Sequence, residues 1–187
     1  MKNIFPLFFI MSYAMALSAQ GVFRNQTNGT LEKVIQDYPN QFKNLKGDLL
    51  ASTAQAAEYK SVINIPGSVS TTVTQYTSDK KIVSWQTIVF TSTTFEEARN
   101  KFKEVYSEIK NTIVKLDGER PVILNGQYEN PEEAKNNTTV YFDLLPNTAS
   151  TQQIKVDLCL EKMNQQWKIV LSVYDKDRKG TDALAVF

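Results

Sequence analysis

The chain has 187 residues, 21 of them Lys or Arg and 20 Asp or Glu, so its formal charge is +1 and it has no basic excess with which to displace counterions from a nucleic acid. The absence of histidine excludes Ser-His-Asp and Cys-His catalysis, His-bearing zinc sites and haem ligation through imidazole. A single cysteine excludes an internal disulfide, which leaves carboxylate-only mechanisms, Ser-Lys chemistry and oxygen-ligated calcium as the chemistries still open.

Residues 1–19 read as a cleaved secretion signal: Lys2 supplies the positive start, Ile4 to Ala16 an apolar run, and Leu17-Ser18-Ala19 the small residues before the cut. The run is shorter than the roughly 20 residues that span a bilayer. An acylated export signal needs a cysteine at the cut, and the chain's cysteine is Cys159, so no membrane anchor is expected after cleavage. The remaining 168 residues, 20–187, carry 20 charges of each sign and suit a single α+β domain, exported to a periplasmic or extracellular space and soluble there.

Gln20 to Asn28 is polar. Thr30 can cap a first helix from Leu31 to Leu45, with Leu31, Val34, Ile35, Tyr38, Phe42 and Leu45 forming its apolar stripe. Pro39 should kink or break it, and Gly47 should end it. Beyond a linker rich in Ala and Ser, three strands are expected at Tyr59 to Ile65, Val69 to Tyr76 and Ile82 to Thr91, separated by Pro66-Gly67 and by Ser78-Asp79-Lys80. Thr94-Phe95-Glu96-Glu97 has the form of a capping box, opening a second helix that runs to Leu116 and is closed by Gly118.

A connection from Asp117 to Asn137 follows, with turn signals at Asn125-Gly126 and Asn130-Pro131 around the short run Val122-Ile123-Leu124. Three more strands are expected at Thr138 to Leu145, Gln153 to Glu161 and Trp167 to Tyr174. Their alternation of apolar and polar residues buries one face of an antiparallel sheet and wets the other. The fold class is therefore α+β, two helices on an antiparallel sheet in the order α-β-β-β-α-β-β-β. The segments 30–91 and 94–174 read as pseudo-repeats, closest where Ile65-Pro66-Gly67-Ser68 parallels Leu145-Pro146-Asn147-Thr148; a duplicated unit and a chance recurrence of a common element order both account for this.

Motif chemistry is thin. Asp175-Lys176-Asp177-Arg178-Lys179-Gly180 begins like a calcium loop, but Lys179 and Val186 stand where ligands are needed, so a solvated charged tail is expected. Ser78 with Lys81 and Ser107 with Lys110 fit Ser-x-x-Lys without the helix-start context or companion elements of such hydrolases. Cys159 alternates with apolar residues and reads as a small hydrophobe. Thr71, Thr72, Thr74 and Thr77 form either an ordinary wet strand or a flat polar binding face. Asn25, Asn28, Asn136 and Asn137 begin Asn-x-Ser/Thr sequons, which matter only in a glycosylating host.

The expectation is a non-enzymatic binding or interaction module with no cofactor and no metal, whose partner is a protein or small ligand. Its contact loop is placed at Asp117 to Asn137, with Arg120, Tyr128, Glu129 and Glu132 as candidate residues. Two alternatives are a carrier holding an apolar molecule in a cavity lined by Phe102, Tyr106 and Trp85, and a hydrolase using two carboxylates, for which Glu129, Glu132 and Glu133 are the loop cluster.

Overall fold

The computed structural model describes residues 25–77 and 82–177. The leader, the Ser78 to Lys81 turn and the tail from Arg178 lie outside the described residues. Two α-helices pack on one face of a nine-stranded sheet in which every neighbouring pair is antiparallel. In chain order the elements are α1 (Gln26–Asp37), β1 (Lys46–Ser52), β2 (Ala56–Ser61), β3 (Ser70–Tyr76), β4 (Val83–Ser92), α2 (Phe95–Ile109), β5 (Ile113–Val114), β6 (Val122–Gly126), β7 (Asn137–Leu145), β8 (Ile154–Met163) and β9 (Gln166–Asp175). The α+β class and the helix-then-strands order stand, and the sheet has three more strands than the sequence suggested.

The strand order is β1-β2-β3-β4-β9-β8-β7-β6-β5, so each half is a helix followed by a meander and the two meanders meet through their last strands. The Pro66 turn joins β2 to β3 and the Pro146 turn joins β7 to β8, which are corresponding connections in the two meanders. Trp85 and Trp167 sit near the starts of β4 and β9, and both are buried.

Where element boundaries moved, local hydrogen bonding explains the change. Helix α1 begins earlier than expected because Asn25, rather than Thr30, is its cap, its side chain accepting from Asn28 N at 2.7 Å. It stops at Asp37, before Pro39, which lies in a following 3-10 turn instead of kinking a longer helix. The Asp37 carboxylate ties that turn down by accepting from the Asn40 side chain (2.9 Å) and from the Asn44 amide (3.1 Å) and side chain (2.6 Å). Gly47 does not end a helix; it lies in β1, where a Cβ would meet Lys60 O of β2 at 3.0 Å. The Ala- and Ser-rich linker is thus part of a β1–β2 hairpin, and Leu49 and Leu50 on its outer strand are both more than half exposed.

Helix α2 begins at the expected place without forming the expected capping box. Thr94 makes no side-chain cap bond. Instead the Ser92 hydroxyl donates to Glu97 Oε2 at 2.7 Å and accepts from Thr94 N at 3.0 Å, and the Ser92 hydroxyl, with that of Thr94 second, holds the Glu97 carboxyl below its ordinary value. The helix ends at Ile109 rather than Leu116, because Asn111 adopts a left-handed conformation (φ 65°) and donates its amide to Leu124 O at 2.9 Å. Thr112 closes the same end by donating to Ile109 O at 2.6 Å. Ile113 and Val114 then form β5, and Gly118 (φ 75°) serves the β5–β6 turn rather than the helix.

The core lies between the helices and the sheet. Helix α2 presents Ala98, Phe102, Val105, Tyr106 and Ile109 to β4, β8 and β9, while α1 presents Leu31, Val34 and Ile35 and packs on α2 and β5. The sheet answers with alternate residues, among them Val73, Trp85, Leu124, Phe142, Leu158, Ile169 and Leu171, all buried. A bulge between Ile88 and Phe90 shifts β4 by one residue against β9, which pairs Phe90 with Ile169 and packs it against this core. No helix among the described residues is long and apolar enough to cross a membrane.

Candidate functional site

Because both helices lie on one face, the other face of the sheet carries the second residue of every alternation. Along β8 these are Lys155, Asp157, Cys159 and Glu161, along β9 Lys168, Val170, Ser172 and Tyr174, along β4 Ser84, Gln86 and Ile88, and along β3 Ser70, Thr72 and Thr74. The strand alternation that builds the core thus also gathers hydroxyl, amide and carboxyl groups on one polar surface.

A depression crosses this surface, enclosing about 470 Å³ when space open to solvent is counted. Glu58 on β2 lines one end, and Glu161 on β8 with Lys168 on β9 lines the other. Between them Ser70, Thr72 and Gln86 give polar walls, and Ile88 and Val170, paired across β4 and β9, give an apolar strip. Glu58 and Glu161 belong to strands four spacings apart, about 19 Å along the sheet at ~4.8 Å per strand.

Glu161 is the unusual group of this surface. Its residue is 7% exposed, and its Oε1 atom is buried and receives no hydrogen bond among the described residues. Asn137 on β7 and Lys168 on β9 flank it in register, yet Lys168 Nζ donates to Met163 Sδ at 3.6 Å. Burial raises the Glu161 carboxyl above its ordinary value; the Lys168 charge opposes that rise and the Asp157 charge adds to it. Cys159, one step along the same face, receives a hydrogen bond from the Thr139 hydroxyl at 3.4 Å, and burial pushes its thiol up to about 11. A thiol held so far above neutrality stays protonated and unreactive.

The loop residues singled out from the sequence do not form one patch. Strand β6 runs through the Asp117 to Asn137 segment and divides it into the β5–β6 turn, which holds Arg120, and the β6–β7 connection, which holds the other three. Five residues of strand put these two pieces roughly 13–17 Å apart, at opposite ends of β6. Arg120 is exposed. Tyr128 turns inward: its ring lies 4.9 Å from that of Tyr106 and 6.2 Å from that of Phe102, and burial raises its hydroxyl's pKa. Glu129 and Glu132 both pair with Lys135, at 3.6 and 3.1 Å, which raises the Lys135 ammonium. Glu133 opens a short 3-10 turn beside them. Asn125-Gly126 is no turn; Gly126 ends β6, where a Cβ would meet the Phe142 ring at 2.6 Å, and its carbonyl accepts from Tyr106 at 2.9 Å.

The remaining motifs resolve into structural roles where they are described. Thr71 points to the helix side and bonds the Thr87 hydroxyl at 2.8 Å, Thr77 donates to Ala54 O, and Thr72 and Thr74 alone of the four lie on the helix-free face. Ser107 donates to Lys103 O within α2, and Lys110 lies over the Tyr106 ring. Ser78 and Lys81 lie outside the described residues, as does the calcium-like loop beyond Asp177. Asp175 accepts from the Tyr38 hydroxyl at 2.6 Å and from Asp177 N at 2.8 Å. Phe102, Tyr106 and Trp85, the residues proposed to line an apolar cavity, pack in the core, where Trp85 Nε1 donates to Ser61 Oγ at 3.1 Å. Among the described residues no cluster of three or more acidic or cysteine side chains is set to hold a metal ion.

Sequence missed Glu161 and Lys168 as partners. The alternation Asp157, Cys159, Glu161 was a visible signal that they share a face, but pairing with Lys168 requires the β8–β9 register. Comparison with protein-family models, curated proteins and solved structures finds no match to this chain.

Proposed function

We propose that the chain is an exported, non-enzymatic binding module whose recognition surface is the helix-free face of the sheet, centred on the depression between Glu58 and Glu161. The observation that supports this most is Glu161 itself. Burying a carboxylate oxygen without a donor costs on the order of 1–3 kcal/mol or more, and a bound partner that supplies the donor recovers it. The polar walls around it suit recognition by hydrogen bonds on a preformed surface. This moves the centre of the site away from Arg120, Tyr128, Glu129 and Glu132, of which only the first stands exposed without an ion pair or ring contact among the described residues.

The test is a paired capture experiment with the purified protein, using extracts of its host's envelope or medium. A Thr72→Lys/Thr74→Lys double variant places two bulky cations on the surface while leaving the core untouched. We expect a partner or ligand retained by the wild-type protein to be lost at least tenfold by the variant. Equal retention by the variant, combined with loss in Arg120→Ala, would return the site to the β5–β6 turn and overturn this assignment.

A second reading has one observation in its favour: Glu58 and Glu161 are two acids lining one depression, as a carboxylate-only hydrolase requires. Glu58 lies in register with Lys155, six residues along β8 from Glu161, so the two backbones are offset by about 19 Å across the strands and by roughly 20 Å along them. That is wide for carboxyl groups that must stand ~5–9.5 Å apart across a glycosidic bond, which is why we favour binding. Turnover of a glycoside panel by the wild-type protein, abolished in both Glu58→Gln and Glu161→Gln, would reverse that preference.

A further inference from the structure

Resting on the assignment of the helix-free face as the binding surface, we propose that the Glu161 end of the depression is a subsite for a primary ammonium group, taken from a free amine or from a lysine side chain. Three observations lead there. Glu161 is more than nine-tenths buried, lines the depression and has an Oε1 atom with no donor among the described residues, so the complementary group must bring an N–H or O–H to it. The carboxyl has also lost water on burial, so a cationic donor gains more from it than a neutral one, charge-assisted hydrogen bonds being roughly twice as strong. The strip made by Ile88 and Val170 beside it offers apolar contact to the alkyl chain that carries an ammonium.

The groups facing this subsite set its selectivity. Lys168 lies across the strand from Glu161 and is the internal competitor, yet its ammonium is directed to the Met163 sulfur. Its charge stands close enough to repel a second cation, so the subsite should hold one ammonium weakly and reversibly, with a dissociation constant of about 1–10 mM for a minimal probe. Removing Lys168 therefore tightens binding, and removing Glu161 weakens it. If Lys168 were instead the settled partner of Glu161, its removal would leave the carboxyl protonated and would not improve binding.

The experiment is an amide NMR titration of the purified protein with n-butylammonium chloride at matched ionic strength, with n-butanol as the neutral probe of the same chain length. A peptide, N-acetyl-Gly-Lys-Gly-amide, forms a third arm. Saturable shifts at residues 86–88, 159–163 and 166–170, at least tenfold weaker affinity for butanol, at least fivefold loss in Glu161→Gln and a severalfold gain in Lys168→Met are expected. Tighter binding of the peptide than of butylammonium identifies a protein-borne amine as the source, and the reverse order identifies a free one. Equal response to butanol, no saturable response to either amine, or a titration unchanged by Glu161→Gln overturns the proposal. Glu161→Asp, which withdraws the carboxylate by one methylene, gives a second reading of the same prediction should the Gln variant misfold. Failure of both amines together with face-dependent capture removes the ammonium subsite and leaves the binding surface standing.

Discussion

The two faces of the sheet are made by the same strands and differ in what a substitution should do. Leu171 and Ser172 are consecutive in β9 and both are buried, yet Leu171 packs under the helices while Ser172 sits on the helix-free side. On the covered face, stability comes from apolar area removed from water and from close packing around Phe102, Trp85 and Trp167. On the other face, burial is shared among polar side chains whose neighbours shield them, and Glu161 keeps a carboxyl oxygen without a donor among the described residues.

The largest effect should come from the covered face. Phe102→Ala empties the contact between α2 and the Tyr128 ring and should cost about 3–5 kcal/mol in denaturant unfolding. A loss under 1 kcal/mol would mean that α2 is not the keystone of the core. Gly126→Ala tests the same face by adding volume instead of removing it. The new Cβ would meet the Tyr141 carbonyl at 2.8 Å as well as the Phe142 ring, and backbone cannot rotate away, so a loss of about 1–3 kcal/mol is expected.

How far these faces were legible in sequence depended on the range of the cause. The stripe of α2 and the alternation in β3, β4, β8 and β9 are local patterns, and the structure places those elements within a residue or two except at the C-terminus of α2. In the sequence Ile113 and Leu116 continue the stripe of α2, but the helix stops short of them because Asn111 bonds Leu124 on β6, a partner distant from the helix end in local pattern. The β1 strand was missed because its outward residues are not alternating, Asp48, Leu49 and Leu50 all being exposed. At the site, Thr72 and Thr74 were visible as polar strand residues. That Glu161 lines one depression with Lys168 and with Glu58 of β2 was not, since it depends on strand order across the join of the two meanders.

Glu161→Gln should have a smaller effect than the core changes and the opposite sign. The folded-state pKa of Glu161 is raised, so the folded protein holds the proton more tightly than the unfolded chain does. Its contribution is therefore fully present below the unfolded value of 4.5 and is lost as pH rises through the higher folded value. Gln cannot ionise, so at neutral pH the variant should be the more stable of the two, by less than the core changes cost, and its stability should fall less between pH 4.5 and 7 than that of the wild type. A wild-type melting temperature independent of pH across that interval would show that Lys168 already neutralises the carboxyl.

The smallest expected change in stability is also the one that separates the faces most cleanly. Thr72 lies on β3 between β2 and β4, lines the depression and makes no side-chain hydrogen bond among the described residues, so Thr72→Val keeps its shape and β-branching while deleting a hydroxyl that the fold does not use. Unfolding free energy should move by no more than about 0.5 kcal/mol. Thr71→Val, one residue earlier, removes instead the buried hydroxyl bonded to Thr87 at 2.8 Å and should cost about 1–3 kcal/mol by leaving that partner short of a bond. Two identical substitutions at adjacent positions thus read the two faces in one unfolding assay. If Thr72→Val proved as costly as Thr71→Val, the helix-free face would be part of what holds the fold together, and its polar groups would need no ligand to account for them.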